Sequence, residues 1–241
     1  MTTTSTKPII VIVHGAFHPP IYYRKLIEPL RAQGYTVLAP PMPTTGLDDS
    51  VNGTTYVDDV RRIHESLLPL FDKEGREAVV VGHSQGGIAA AAVTEGQTVA
   101  ERKARGLQGG IRAMVYIAAG AHYVPVMPAE RKGVVPLYNS LPTEAEQWRA
   151  AEDLVPQSRA SVNAAVHFVA ADVHRDVAGR STYVVCTRDM AVPVAAQRAW
   201  AAASGCRDVV DLESDHSPFL GDERARRVVH VIVGVAESSG R

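Results

Sequence analysis

Short apolar runs rich in β-branched residues recur along the chain, and each is bounded by glycine, proline or polar residues. Within a run the hydrophobicity is nearly continuous and does not alternate with polar positions. Such runs are typical of strands that are covered on both faces. The pattern predicts strands at residues 9–13, 36–39, 78–81, 113–118, 182–186 and 209–212.

Helical patterns with one apolar side fill the stretches between these runs. In residues 54–73, for example, the apolar side includes Val57 and Ile63. Gly34 and Gly96 are placed to end the first helix and the helix that follows the third strand. Alternation of strands and helices predicts a parallel, doubly wound α/β sheet with helices on both faces. The predicted helices span residues 22–33, 54–73, 87–95, 194–203 and 222–235.

One interval breaks this alternation. Residues 121–180 separate the fourth and fifth predicted strands and contain helical patterns without a convincing strand. Thr143 followed by Glu146 has the pattern of a capping box, and residues 158–169 are a second helix candidate. An insertion at the carboxyl end of a central strand lies over the region where open α/β sheets bind ligands. We therefore expect a helical cap at 121–180, inserted in a single domain that spans 1–241, to wall the ligand pocket.

Size and charge narrow the classes of function. A chain of 241 residues with 46% apolar and 21% charged residues is typical of one globular domain. Its formal net charge of -1 provides no long-range attraction to nucleic acid or an anionic membrane. Residues 1–7 lack the regions of a signal peptide, and the run 9–13 is too short to span a bilayer. We expect a cytoplasmic protein that binds a small molecule and has no nucleic-acid or membrane partner, and a homodimer stays open.

The cysteines and the basic stretches suggest no further site. Cys186 and Cys206 are the two cysteines of the chain, and they lack the spacing of a zinc motif. We expect both to be free, partly buried thiols. The basic stretches at 102–105 and 224–227 are predicted to be solvated loop and helix faces.

The segment Gly82-His83-Ser84-Gln85-Gly86-Gly87 lies directly after an apolar run and before a helical pattern. The pattern G-x-S-x-G places a serine on a sharp strand-to-helix turn, from which the side chain projects outward on a strained backbone. Gly82 and Gly86 are needed because the strand and the helix approach too closely there for a Cβ atom. A phosphate-binding loop is the alternative, but no Lys-Ser/Thr follows the glycines and no G-x-G-x-x-G surrounds them. Ser84 is the candidate nucleophile.

A serine hydroxyl needs a base within hydrogen-bond reach and a third group that holds this base in the right tautomer. In hydrolases with this turn the chain order is serine, then acid, then histidine. Of the nine histidines, only His216 and His230 follow the last predicted strand. His230 falls within the apolar pattern of the final helix, whereas His216 lies in a loop just past a strand end. His216 is therefore the predicted base.

The acid has several candidates. Asp189 follows the fifth predicted strand by two residues, at the edge of the sheet where the serine and the histidine are also expected. Asp211 lies inside or at the end of a strand, and Asp215 adjoins His216 too closely to reach around to its ring. We predict Asp189 as the acid and Asp215 as a turn-forming residue, with Asp153 of the predicted cap as an outsider.

An oxyanion needs preorganised donors, usually the amide after the nucleophile and one from the loop after the first strand. These amides belong here to Gln85 and Ala16, and Gly15 permits the backbone to turn towards the pocket. His14 and His18 are spaced as metal ligands on a helix would be. A strand precedes them and two prolines follow, which argues against a helix. We therefore expect neither a metal nor any other cofactor.

Four segments of the chain together carry a resemblance to a known family. They are residues 13–18 with Tyr23, Lys25 and Leu26, residues 82–87, residues 185–193 with Gln197 and Trp200, and residues 215–218. Over nearly its whole length the chain resembles the cap-bearing α/β-hydrolases that include plant methyl-ester esterases and the related hydroxynitrile lyases. The resemblance implies an α/β-hydrolase fold. It also implies Ser84 as nucleophile, Asp189 as acid, His216 as base, and the amides of Ala16 and Gln85 as oxyanion donors.

The chain departs from this family at informative positions. Hydroxynitrile lyases have a lysine after the catalytic histidine and a threonine after the first-strand histidine, where this chain has Ser217 and Gly15. Because no cation is placed to stabilise departing cyanide, the resemblance does not extend to cyanohydrin cleavage. The cap is similar to microbial members with a shortened segment at 138–142. Its candidate ligand contacts are His122, Tyr123 and Trp148, residue types that more often pack or lie on the surface.

These observations predict a serine hydrolase that cleaves a small carboxylic ester or a lactone through an acyl-enzyme. Both substrates present the same carbonyl to the same donors. Two other classes of protein stay open, because a fold alone does not define a function. One is a ligand receptor, and the other is a biosynthetic enzyme that uses these residues for elimination, cyclisation or carbon–carbon cleavage.

Overall fold

A computed structural model describes residues 7–120, 135–164, 166 and 175–238. Its described part contains a six-stranded sheet, ordered β2-β1-β3-β4-β5-β6, in which all paired strands are parallel. The strands are β1 (Ile9–Val13), β2 (Val37–Leu38), β3 (Glu77–His83), β4 (Gly110–Ile117), β5 (Thr182–Cys186) and β6 (Asp208–Leu212). The predicted α/β class is confirmed, and each predicted strand lies where the apolar runs placed it.

Helices cover both faces of the sheet. Helices α1 and α10 pack on one face, and α2, α3 and α9 pack on the other. The described helices are α1 (Arg24–Ala32), α2 (Tyr56–Glu74), α3 (Gly86–Ala92), α4 (Val99–Ala104), α5 (Val135–Tyr138), α6 (Glu144–Glu152), α7 (Arg159–Asn163), α8 (Arg175–Ala178), α9 (Val194–Ala203) and α10 (Asp222–Glu237).

The central strands are apolar throughout because both of their faces are buried. In β1, Ile10 and Ile12 belong to the core shared with α1 and α10, whereas Ile9, Val11 and Val13 belong to the core shared with α2 and α3. All five residues are at most 1% exposed. Strand β6 lies at the edge of the sheet, and most of its residues are exposed. The two-sided cover explains why period-two alternation is missing from the inner strands.

Outside the interval 121–180, three local predictions were wrong. Arg102 was expected on a solvated loop, but it lies in α4 and is 2% exposed, because its guanidinium donates to Gln97, Asp72 and the carbonyl of Gln108. Val57, predicted on the apolar side of α2, is 50% exposed. The helix that Gly96 was expected to end already stops at Ala92, four residues earlier, and a series of turns follows it.

The interval 121–180 contains α5 to α8 in its described part. Thr143 caps α6 through the predicted capping box with Glu146. In the second predicted helix, 158–169, α7 covers Arg159–Asn163 and Ala164 is extended, whereas residues 165 and 167–169 lie outside the described residues. A separate cap stays a prediction.

Among the described residues, no helix is both long enough and apolar enough to cross a membrane. Cys186 and Cys206 are free thiols, as predicted, and Cys186 is buried in the core.

Candidate active site

Ser84 occupies the sharp turn between β3 and α3. Its φ of +51° lies in the left-handed region, which residues other than glycine rarely adopt. The turn is held on both sides, because the Ser84 amide donates to the carbonyl of Ile117 at 3.1 Å and the Gly120 amide donates to the Ser84 carbonyl at 3.2 Å. These bonds fix the turn to the end of β4 and keep the hydroxyl projecting from the carboxyl edge of the sheet.

The glycines around Ser84 are required by close approach. A Cβ atom on Gly82 would lie 2.7 Å from the Cβ of Ala90, and one on Gly86 would collide with the backbone carbonyl of His14. A Cβ on Gly87 would lie 2.8 Å from a side chain at the end of β4. The expectation that strand and helix leave no room for side chains at Gly82 and Gly86 is confirmed.

The structure brings the three predicted triad side chains together in a line. The Ser84 hydroxyl lies 2.8 Å from His216 Nε2, and His216 Nδ1 lies 2.7 Å from Asp189 Oδ2. A carboxylate only accepts hydrogen bonds, so Nδ1–H donates to Asp189 and Nε2 accepts from the hydroxyl. Both His216 and Asp189 are buried, at 2% and 8% exposure. This geometry can transfer the serine proton to the imidazole.

Asp189 is fixed by groups other than His216. Its Oδ1 accepts from the amides of Ala191 and Val192, each at 2.8 Å, and its Oδ2 accepts from Gln197 Nε2 at 3.0 Å. The fully buried Gln197 also accepts from the Cys186 amide at 2.8 Å. Gln197 had no predicted role, although its place in the first turns of the helix after Asp189 was a usable signal.

The rival residues lie elsewhere. Asp211 is exposed and pairs with Arg198. Asp215 accepts from the Ser217 amide at 3.1 Å and so forms the predicted turn. His230 is exposed on α10. Of these candidates, only Asp189 reaches the ring of the predicted base.

The two amides predicted as oxyanion donors belong to Ala16, in the loop after β1, and to Gln85, directly after the nucleophile. No hydrogen bond from either amide is found within the described residues. Position 15 requires glycine for a reason other than the predicted turn of the backbone towards the pocket. A Cβ there would lie 2.7 Å from His83 Nδ1 and 3.0 Å from the Cβ of Ser84, so this glycine is needed for close approach.

His14 orients the peptide that carries the Ala16 amide. Its Nδ1 donates to the Gly15 carbonyl at 3.1 Å, and its Nε2 accepts from the Met42 amide at 3.0 Å. The Gly15 carbonyl and the Ala16 N–H belong to one trans peptide, so they point in opposite directions. Burial lowers the pKa of His14 to about 4, which keeps the ring neutral and able to accept.

His18 holds the next peptide in the same way. Its Nδ1 donates to the Ala16 carbonyl at 2.7 Å, and its Nε2 accepts from the Tyr138 hydroxyl at 3.0 Å. Burial lowers the pKa of His18 to about 3. Both ring nitrogens of His14 and of His18 are therefore engaged within the protein. Within the described ranges, no cluster of histidine, cysteine and carboxylate side chains could hold a metal ion.

Polar side chains tie α7 to the loop that carries Ala16. Gln157 Oε1 accepts from the Thr45 hydroxyl at 2.6 Å and from the Phe17 amide at 3.4 Å. Gln157 Nε2 donates to Ser161 Oγ at 2.7 Å, and Gln85 Nε2 donates to the same oxygen at 3.3 Å. The segment around α7 therefore adjoins both sides of the site.

The predicted ligand contacts are His122, Tyr123 and Trp148. His122 and Tyr123 lie outside the described residues. Trp148 lies on α6, where its indole donates to Glu144 at 3.3 Å within the same helix. The described contacts do not join Trp148 to the other site residues.

A parallel sheet that carries a serine on a strained strand-to-helix turn defines the class of α/β-hydrolase folds. A family model described as the alpha/beta hydrolase family matches residues 10–231. The chain therefore belongs to the alpha/beta hydrolase family.

Individual relatives agree with this assignment. The chain is 27% identical to alpha/beta hydrolase nvfD of Aspergillus novofumigatus, over 90% of this chain and 92% of that protein. It is 30% identical to methylesterase 3 of Arabidopsis thaliana, over 38% of this chain and 35% of that protein. A crystal structure of polyneuridine aldehyde esterase matches with a TM-score of 0.71 and 16% identity, over 96% of this chain and 100% of that one. At that identity the structural match shows the fold alone.

Proposed function

We propose that the protein is a serine hydrolase that cleaves a small carboxylic ester or lactone. The observation that carries the proposal is the hydrogen-bonded line from Asp189 through His216 to the strained Ser84. Family membership and the partial similarity to a methylesterase support a hydrolytic reaction.

In the first half of the proposed reaction, Ser84 Oγ attacks the acyl carbon while His216 Nε2 takes the hydroxyl proton. The carbonyl oxygen becomes an oxyanion, which the amides of Ala16 and Gln85 stabilise. Asp189 accepts from Nδ1–H and stabilises the imidazolium. Collapse of the intermediate breaks the acyl–oxygen bond, and His216 returns the proton to the leaving alcohol.

In the second half, water attacks the acyl-enzyme. His216 takes a proton from this water, the same two amides hold the second oxyanion, and collapse releases the carboxylic acid and regenerates Ser84. A lactone follows the same course, with the alcohol and the acid retained in one product.

We also propose that part of residues 121–180 caps the pocket. The support is local: the Val155 amide donates to the Phe17 carbonyl at 3.0 Å, and Ser161 accepts from Gln85, the residue after the nucleophile. The segment next to α7 thus contacts the loop and the turn that carry the proposed oxyanion donors. These contacts support the proposal that side chains of this segment select the acyl or alcohol group.

The test combines covalent labelling with turnover. We expect a fluorophosphonate to add one adduct to the intact protein, measured by mass spectrometry, and Ser84→Ala to abolish it. Hydrolysis of a short aryl ester should fall by ~10³-fold or more in Ser84→Ala, as expected for loss of a nucleophile. The matched control is Ser66→Ala on the surface of α2, which should label and turn over like the wild type.

Full activity in purified Ser84→Ala would rule out the mechanism. A wild-type protein that does not label would favour a ligand receptor. Labelling without turnover of any ester or lactone in a panel of graded acyl and alcohol size would favour a non-hydrolytic biosynthetic enzyme.

A further inference from the structure

A line of buried hydrogen bonds joins the loop after β1 to the loop that carries His216, and it passes directly behind the nucleophile. The Gly15 amide donates to the Tyr23 hydroxyl at 2.9 Å. That hydroxyl lies 2.7 Å from His83 Nδ1, and His83 Nε2 lies 2.9 Å from the backbone carbonyl of His216. Tyr23 and His83 are both fully buried, and neither has a part in the chemistry proposed above.

The direction of every bond in this line is determined. A carbonyl oxygen only accepts, so His83 Nε2 must carry the proton that points at His216. Burial lowers the pKa of His83 well below its ordinary value, so the ring is neutral and its Nδ1 accepts. The Tyr23 hydroxyl therefore donates to His83 and accepts from the Gly15 amide. With the hydrogen bonds running in this direction, every donor and acceptor along the line has a partner.

The two ends of the line are parts of the proposed catalytic apparatus. Gly15 is covalently joined to Ala16, whose amide is a proposed oxyanion donor, and His216 is the proposed base. His83 immediately precedes Ser84. The line thus spans the three backbone segments whose relative placement decides whether nucleophile, base and oxyanion donors meet, and reaction rates are sensitive to misplacements of about 1 Å.

The neutrality of His83 also matters for the base. The rings of His83 and His216 lie 4.9 Å apart between centroids. A cationic ring at that distance would oppose formation of the His216 imidazolium, because like charges in a buried site repel strongly. A neutral His83 that donates to a backbone carbonyl fixes His216 without this repulsion.

We propose that Tyr23 and His83 are positioning residues that hold two segments in register with Ser84: the loop after β1, which carries the Ala16 amide, and the loop that carries His216. This proposal rests on the proposed hydrolase function. Tyr23 and His83 do not touch the reacting atoms but act through Gly15 and His216.

The variant that tests the proposal is Tyr23→Phe, which removes only the hydroxyl. We expect kcat for a short aryl ester to fall by ~10-fold to ~100-fold, below the ~10²-fold to 10³-fold cost of deleting an oxyanion donor, because the donor is displaced and not lost. KM should change by less than about threefold, since the ground state uses these donors less than the transition state does. The fluorophosphonate labelling rate should fall together with kcat.

The matched control is Tyr35→Phe. Tyr35 is 4% exposed, and its hydroxyl donates a hydrogen bond to Glu237 at 3.1 Å. The Tyr35→Phe variant therefore also loses one hydroxyl hydrogen bond, but at a position remote from the site. We expect wild-type kcat in this control. A purely structural role for Tyr23 would lower the fraction of active protein, and titration with the fluorophosphonate would then show fewer sites with an unchanged kcat per site.

A second measurement does not depend on any variant. In ¹⁵N-histidine NMR spectra of the wild type, His83 should be the neutral Nε2–H tautomer throughout the pH range in which the protein stays folded. The Nδ1–H tautomer, or an unchanged kcat in Tyr23→Phe, would overturn the proposal. Neither result bears on whether Ser84 is the nucleophile, which Ser84→Ala decides separately.

Discussion

At the scale of single residues, the contacts of Asp189 fix the orientation of its carboxylate towards the His216 ring. Its Oδ1 is occupied by the amides of Ala191 and Val192, so only Oδ2 remains to meet His216 and Gln197. A carboxylate held in this way cannot rotate away from the imidazole. Gln197 is itself fixed by the Cys186 amide, which links the carboxylate to the end of β5.

This arrangement gives a prediction for Gln197→Leu. The Cys186 amide and the Val192 carbonyl would each lose a buried partner, while Asp189 Oδ2 would keep His216. At about 1–3 kcal/mol for each group left unpaired, we expect the free energy of unfolding to fall by about 2–6 kcal/mol. We also expect kcat for ester hydrolysis to fall about 10-fold, because an acid that is less well held orients His216 less well. Urea unfolding and steady-state kinetics measure the two effects.

The control is Gln108→Leu, a surface change that removes a single hydrogen bond to the Asp72 carbonyl. It should leave kcat at the wild-type value. An unchanged kcat in Gln197→Leu would mean that the two amides alone orient Asp189.

At the scale of elements, the close approach of α3 to β1 and β3 makes particular glycines indispensable. Gly86 faces the backbone carbonyls of Val13 and His14, which cannot move aside as a flexible side chain could. Gly234 in α10 is different, because it is exposed and a Cβ atom there would meet nothing within 4 Å.

The two glycines should therefore respond in opposite ways to alanine. We expect Gly86→Ala to lower the free energy of unfolding by about 3 kcal/mol or more, through overpacking against the backbone. Gly234→Ala should raise it by about 0.5–1 kcal/mol, because alanine favours the helix interior. Urea unfolding of both variants measures the difference. Equal effects would show that helix propensity, and not close approach, governs Gly86.

At this scale, some features of the fold could be predicted from the sequence and others could not. The inner strands were predictable because cover on both faces leaves an apolar run, and the turn at Ser84 because its glycines obey a steric rule. The burial of Arg102 depends on Gln97, Asp72 and Gln108, partners that only the fold brings to it. The hydrogen bonds of Gln197, Tyr23 and His83 were not predictable for the same reason, since a local pattern does not show which atoms meet across the chain.

At the scale of the whole molecule, three histidines behind the site are buried in a neutral state. Burial lowers the pKa of His14 to about 4 and that of His18 to about 3, from an ordinary value of 6.5, and it lowers the pKa of His83 as well. Unfolding exposes these rings to water, where they bind protons below pH 6.5. Two buried carboxyls act in the opposite direction: burial raises the pKa of Asp59 to about 6 and also raises the pKa of Asp215, so the folded state binds protons at these groups more tightly than the unfolded state does.

The sign of the pH dependence follows from these shifts. A histidine whose pKa is lowered on folding contributes stability that is present above pH 6.5 and is lost as the pH falls towards the folded value. Unfolding frees three such histidines to bind protons and releases the protons held by the two carboxyls, which leaves a net uptake of about one to two protons near pH 5.5. We therefore expect the free energy of unfolding to fall by about 1.5–3 kcal/mol per pH unit between pH 6 and 5.

Urea unfolding at intervals from pH 7.5 to 5 measures this slope, and two variants assign it. His18→Gln should reduce the slope by about one proton, or about 1.4 kcal/mol per pH unit, whatever its effect on stability at pH 7.5. His230→Gln, a change on the exposed face of α10, should leave the slope unchanged. A stability that is flat from pH 7.5 to 5 would mean that the buried rings gain their protons in the folded protein. The hydrogen bonds that neutral His14 and His18 make to the loop after β1 would then not exist in the form described.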